Sequence, residues 1–184
     1  MAAIFDLGKV SLVFEDPRQF GSLQLDRDVL GSLGPEPLED SFSPETLIER
    51  VGSSRRRIKV CLLDQGCLAG LGNIYASESL FQSGIHPDRE ARGLSPKEWE
   101  RLHRSIRDVL SRAIQQGMSG ADGTESVPAP IFYYGNTRSG GEVSPEPVFQ
   151  VYDRAGCPCP VCGTPVERIV QAGRSTFFCP TCQK

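Results

Sequence analysis

Two short cysteine pairs, Cys159-Pro-Val-Cys162 and Cys179-Pro-Thr-Cys182, constrain this 184-residue chain more than any other feature. Sixteen residues separate Cys162 from Cys179. Each Cys-x2-Cys step suits a tight turn that aims two sulfurs at one point, and two such turns can close a tetrahedral thiolate shell around one Zn²⁺. The stretch between them, Gly163 to Phe178, has the length of a short β-hairpin. Two disulfides, or unpaired core thiols, are the other use for these cysteines. Disulfides need an oxidising compartment, and nothing else in the chain points to one. Cys157 stands beside Cys159 and competes with it as the first ligand; Cys61 and Cys67 lie among apolar residues and read as small core side chains.

The length allows one ordinary domain, or a small domain with an appended module. No apolar run reaches the length of a membrane span, and Met-Ala-Ala-Ile-Phe-Asp is no secretory signal, so the expectation is a cytoplasmic chain with no membrane partner. The net charge of −3 hides an uneven distribution. Acids gather at Asp26, Asp28, Glu36, Glu39, Asp40, Glu45 and Glu49, whereas Arg55-Arg56-Arg57-Ile58-Lys59 is compactly basic. Such a run is either a solvated face or a local field that steers a polyanion.

Residues 4–14 alternate in two apolar stretches around Gly8-Lys9, the pattern of a β-hairpin, and Phe20 to Leu25 can resume as a strand. Residues 31–43 are rich in turn formers and read as a linker. Ser43-Pro44 is a helix start with Ser as N-cap. Short helices are expected over 46–51, 58–63 and 72–82. Ser95-Pro96-Lys97-Glu98 is a capping box that opens a long amphipathic helix, with Trp99, Leu102, Ile106, Val109, Leu110 and Ala113 on its core face and Gly117 closing it. His103 beside that face reads as structural. Residues 117–147 show no period and read as a long loop, and Val148 to Tyr152 as a strand leading into the cysteine module.

Gly66, Gly70 and Gly72 fall within seven residues between two apolar stretches, which implies a double turn. Asn73 then sits at the start of the next helix. It is either that helix's N-cap or part of an anion site, since first-turn N–H groups and the helix dipole favour a phosphate there.

The runs LLDQGCLAGLGNIYASE and LFQSGIHP resemble the helix–two-turn–helix element of formamidopyrimidine-DNA glycosylases, bacterial enzymes that excise oxidised purines. The terminal VYDRAG…CPVCG…GRSTFFCPTCQ resembles that family's zinc finger, and Asp16-Pro-Arg18-Gln-Phe20-Gly21 its DPRxFG loop. The three motifs follow the family's order and cover nearly the whole chain. The resemblance implies an α+β fold: a partial N-terminal β-sandwich remnant (1–30), the linker (31–43), a helix–two-turn–helix domain with a long loop (44–147), and a C-terminal β-hairpin zinc finger (148–184). It implies one structural Zn²⁺ on Cys159, Cys162, Cys179 and Cys182. The implied partner is double-stranded DNA carrying an oxidised purine or abasic site, bound by a monomer. Asn73, Arg174 and Lys59 match residues that contact backbone phosphates, a task to which the planar Arg fork is suited. Arg18 and Phe20 match residues that fill the hole left by an everted base.

Members of that family begin Pro-Glu-Leu-Pro-Glu, and the proline amine attacks C1′ of the lesion. This chain begins Met1-Ala2-Ala3, with no matching Pro, Glu or hairpin Lys, so no catalytic residue is assigned. A truncated gene product, a misplaced start and one piece of a split enzyme would each read this way. Two further readings stay open: a non-catalytic DNA-binding module derived from the family, and a zinc-ribbon protein that contacts RNA or protein.

Overall fold

The computed structural model describes residues 2–15, 30–118 and 149–184. The expected strand at 20–25, the candidate base-replacing residues Arg18 and Phe20, and the expected loop from 119 to 147 lie outside the described residues. The chain divides into two compact units, residues 1–32 and 33–184.

In the first unit, β1 (Ala2–Asp6) pairs antiparallel with β2 (Ser11–Glu15), Phe5 opposite Leu12 and Ile4 opposite Val13. Gly8 takes a φ of 86° in the connecting turn, and its N–H donates to Asp6 Oδ1 at 2.8 Å. A glycine in the turn lets the backbone follow the strand twist, so the alternating apolar pattern becomes the expected hairpin.

The second unit begins as helices. Ser43 caps α1 (Pro44–Val51) by a reciprocal box with Thr46. A short α2 (Ile58–Leu62) leads into the double turn. Here Gln65 replaces missing backbone partners: its Oε1 accepts from Gly70 N–H at 2.9 Å and its Nε2 donates to Leu71 O at 3.2 Å. Then come α3 (Asn73–Ser83) and the long α4 (Pro96–Met118). Gly84 stops α3 in the left-handed conformation at φ 71°. Gly117 does not close α4, which runs on to Met118; a single helical glycine costs only about 1 kcal/mol and does not oblige a stop.

Trp99, Leu102 and Ile106 of α4 bury against Leu47, Ile58, Leu62, Leu71 and Leu80. Each such side chain stabilises the unit by roughly 1.5–3 kcal/mol. His103 is structural, its Nε2 2.9 Å from Phe42 O. Residues 33–43 do not behave as a free linker. Phe42 is in the core, Arg107 donates to Pro37 O and Glu39 O, and Gly34 N–H donates to Gln65 O at 2.7 Å. The turn formers there shape a segment wrapped on the helices.

A second apolar cluster joins Val151, Tyr152, Val166 and Phe177 to Phe81 of α3. Thus α3 gives Ala76 and Leu80 to the helical core and Phe81 to the finger. The finger's strands, β3 (Glu167–Gln171) and β4 (Arg174–Phe178), are antiparallel with Gln171 opposite Arg174. Residues 149–152 are not the expected strand. The N–H groups of Gln150, Val151 and Tyr152 turn onto one carboxylate, that of Glu78, instead of a neighbouring strand. No helix among the described residues is long and apolar enough to cross a membrane.

Gly34 offers a direct check on the wrapped segment. A Cβ there would stand 2.6 Å from Cys67 C and 2.7 Å from Leu68 N, both backbone atoms that cannot swing away. Gly34→Ala should destabilise the helical unit by about 2 kcal/mol, lowering its thermal midpoint in far-UV circular dichroism by roughly 4–8 °C. An unchanged midpoint would contradict the packing.

Candidate functional site

The four cysteines of the two pairs come together. Their Sγ atoms all lie within 4.8 Å of one another, with Cys162···Cys179 at 3.5 Å and Cys159···Cys182 at 3.9 Å. Zn–S bonds of about 2.3 Å in a tetrahedron put sulfurs roughly 3.8 Å apart, so the set already fits one structural Zn²⁺. Each knuckle is locally braced. Gly163, at φ 75°, donates its N–H to Cys159 O, and Gln183 Oε1 accepts the Cys179 N–H at 2.8 Å. Hydrogen bonds from the Thr164 hydroxyl and N–H draw the Cys162 thiol down to about 6, whereas burial and the neighbouring cysteines push Cys182 up to about 12. A bound dication reverses that opposition by stabilising every thiolate at once. Cys157 is exposed and outside the cluster, so the first ligand is Cys159.

The finger's hairpin turns at Ala172 (φ 47°) and Gly173 (φ 73°), two left-handed residues in succession. That is the tight turn whose twist suits a two-residue hairpin. It places Arg174, exposed, as the first residue of β4. The next two residues reach back to the helices. Lys59 of α2 donates from Nζ to Thr176 Oγ1 at 2.7 Å, to Ser175 O at 3.1 Å and to Asn73 Oδ1 at 2.7 Å. Asn73 Nδ2 donates in turn to Ser175 O at 3.0 Å and to Tyr152 Oη at 3.3 Å.

Two expectations change here. Lys59 is fully buried, and its Nζ faces three protein oxygens instead of solvent; it holds Asn73 and the finger together from behind. The N-cap of α3 is Gly72, with Asn73 as the first helical residue. The Asn73 carboxamide faces the finger, while Ala76 N–H is the first to bond into the helix, at Gly72 O. The first-turn N–H groups before it and the positive helix end therefore lie beside the Arg174 strand, an arrangement able to hold an anion.

The basic run is less free than its sequence suggests. Arg56 donates from Nη1 and Nη2 to Asp64 Oδ2 at 2.9 and 3.0 Å, and Arg57 pairs with Asp88 at 2.9 Å. Sequence reading missed Tyr152, Ser175 and Thr176. Tyr152 is 79 residues from Asn73 and Thr176 is 117 from Lys59, separations that no local pattern reveals. A lysine set between Ile58 and Val60 in an apolar run was the one available signal.

Residues 33–124, half of the chain, match the model of the formamidopyrimidine-DNA glycosylase H2TH domain, and 156–184 match the zinc finger found in FPG and IleRS. The chain belongs to the formamidopyrimidine-DNA glycosylase family. A formamidopyrimidine-DNA glycosylase of Symbiobacterium thermophilum is 45% identical over 94% of this chain and 55% of its own length. The crystal structure of MutM (Fpg) from Thermus thermophilus aligns with a TM-score of 0.74 at 40% identity, covering 98% of this chain and 67% of that one. The Lactococcus lactis Fpg solved with DNA containing an abasic site gives 0.71 at 35% identity, covering 95% and 62%. This member of the family therefore spans between about half and two thirds of the length of those relatives.

Metal analysis tests the four-sulfur assignment. The purified protein should carry one zinc per chain; Cys182→Ser should lower that content while the far-UV signal of α1–α4 persists, and Cys157→Ser should leave it unchanged. Zinc retained in full by Cys182→Ser would refute this ligand set.

Proposed function

We propose that this chain grips damaged duplex DNA in base-excision repair: it binds DNA containing an oxidised purine or an abasic site, as the DNA-holding part of a formamidopyrimidine-type glycosylase and strand-cleaving lyase. The observation that carries this reading is the Lys59–Asn73–Ser175–Thr176 network, which sets the start of α3 beside Arg174. Arg174 and the first turn of α3 hold backbone phosphates, contacts that fix register without reading sequence. Lys59 orients them from behind. Arg18 and Phe20 fill the space of the extruded base. Zn²⁺ is structural: when bound it fixes the two knuckles, and through them the hairpin that presents Arg174. The protein works as a monomer on DNA, on the chromosome in the bacterial cytoplasm.

A second reading, a non-catalytic DNA-binding module derived from the family, rests on the same Lys59–Asn73–Ser175 network, which needs no reacting group to hold a phosphate. Borohydride trapping on abasic-site DNA separates the two. A covalent adduct supports lyase chemistry in this chain, and retained binding without an adduct supports the module.

The grip itself is tested by Arg174→Ala. On a duplex carrying a tetrahydrofuran abasic analogue it should weaken binding by about ten-fold or more and reduce the salt slope by roughly one phosphate contact. Wild-type affinity and slope would refute the reading.

Proton linkage gives an independent check. Burial, and then the neighbouring Arg174 guanidinium, push the Lys59 amine down to about 7 from its ordinary 10.5. The folded form therefore disfavours the charged amine; that stability is full above the unfolded value and is lost as pH falls through about 7. A phosphate beside Arg174 offsets the guanidinium and favours the ammonium, so DNA binding should take up a proton near pH 7–8. Selective ¹³Cε lysine NMR should show the Lys59 midpoint near 7 in the free protein and higher on DNA. A midpoint unmoved by DNA would count against a phosphate at this place.

A further inference from the structure

Glu78 lies on α3, five residues beyond Asn73, and is 7% exposed. It carries no ion pair with a cationic side chain among the described residues. Its oxygens instead collect three successive backbone donors: Oε2 accepts from Gln150 N–H, and Oε1 from Val151 and Tyr152 N–H, each at 2.9 Å. Converging N–H groups of this kind form a concavity suited to an anion, and here the anion is part of the protein. Bonds to a charged acceptor are stronger than neutral ones, and an apolar surrounding strengthens them further.

The consequence falls on Tyr152. Its backbone is fixed at Glu78, its ring stands edge-on to Phe177 at 4.9 Å and to Phe149 at 5.9 Å, and its hydroxyl meets Asn73 Nδ2. Five residues of α-helix rise about 7.5 Å, and Tyr152 spans that distance along α3. The side of α3 facing the finger is thus tied at both ends to one residue of the segment entering the zinc module.

We infer that Glu78 is a positioning residue for the phosphate grip, acting through Tyr152 on Asn73. This rests on the DNA-gripping function proposed above. Glu78 touches neither DNA nor metal; it sets the orientation in which the Asn73 carboxamide joins α3 to the Arg174 strand. Its isosteric amide turns an N–H₂ toward donors and loses part of the cradle, which loosens Tyr152 and then Asn73.

The test is a double-mutant cycle on tetrahydrofuran-containing duplex, with zinc content and far-UV circular dichroism measured on every variant. Glu78→Gln should bind about ten-fold more weakly, keep its zinc and helix signal, and move the Asn73 side-chain amide resonances. In an Asn73→Ala background it should cost less than about two-fold more. Tyr152→Phe, which keeps the ring packing, should cost about three-fold, move the same resonances, and likewise add nothing to Asn73→Ala. It stands in for Glu78→Gln should that variant not fold. Wild-type binding by these variants, an undiminished loss in the Asn73→Ala background, or zinc loss in Glu78→Gln would each overturn the positioning role. Wild-type binding by Asn73→Ala itself would instead strike at the proposed grip.

Discussion

One ammonium group organises the second unit. Lys59 Nζ reaches partners 14, 116 and 117 residues away in sequence, and every one of them lies at the surface shared by the helices and the finger. A lysine amine taken wholly out of water is costly unless its protons find acceptors, so the acceptors cannot be optional. Two of them belong to β4 and the third to the first residue of α3. Burial of this amine therefore specifies where the finger must sit. Apolar packing of Phe81 with Val151 and Phe177 supplies attraction, but oil-like contacts alone tolerate sliding. Directional bonds to Lys59 do not.

The zinc knuckles answer a different physical problem. The finger is too small to stabilise itself by burial alone, and its cluster of buried side chains borrows Phe81 from a helix. Metal ligation closes the loop between the knuckles, and the last residues of the chain close it onto the helices. Lys184 N–H donates to Gly84 O, His86 N–H donates to Lys184 O, and Gln183 Nε2 donates to Ile85 O. The hairpin turn that presents Arg174 is thus held from the knuckle side by sulfur and from the helix side by Lys59 and Gln183.

What could be read from the residues divides along the same physical line. Features set by local rules were legible: the Ser43-Pro44 helix start, the amphipathic face of α4, the Gly8 hairpin, and the spacing of Cys159, Cys162, Cys179 and Cys182. The proposed grip residues Asn73 and Arg174 came from motif resemblance, which had no means of showing that the Asn73 side chain faces the finger. Features set by distant partners were not legible. Lys59 looked like part of an exposed basic run because nothing local signals the oxygens of β4. Val148 to Tyr152 looked like a strand because of its apolar residues, yet a carboxylate on another element claims the N–H groups of its last three. Residues 31–43 looked like a linker because turn formers describe local backbone bending, not whether the bend lies against a core.

The span from Lys59 to Thr176 also has a temporal side. A ribosome delivers the helices first, so α2 and α3 are complete while the oxygens of β4 that satisfy Lys59 have yet to be made. Until then the amine keeps its water, and the seam it will occupy stays hydrated. The last stretch to emerge brings the acceptors and the four sulfurs together. Maturation of this unit is therefore ordered: metal capture and the drying of the Lys59 seam are late, joined events, and a cell short of zinc would accumulate chains whose helices are folded but whose seam is still wet.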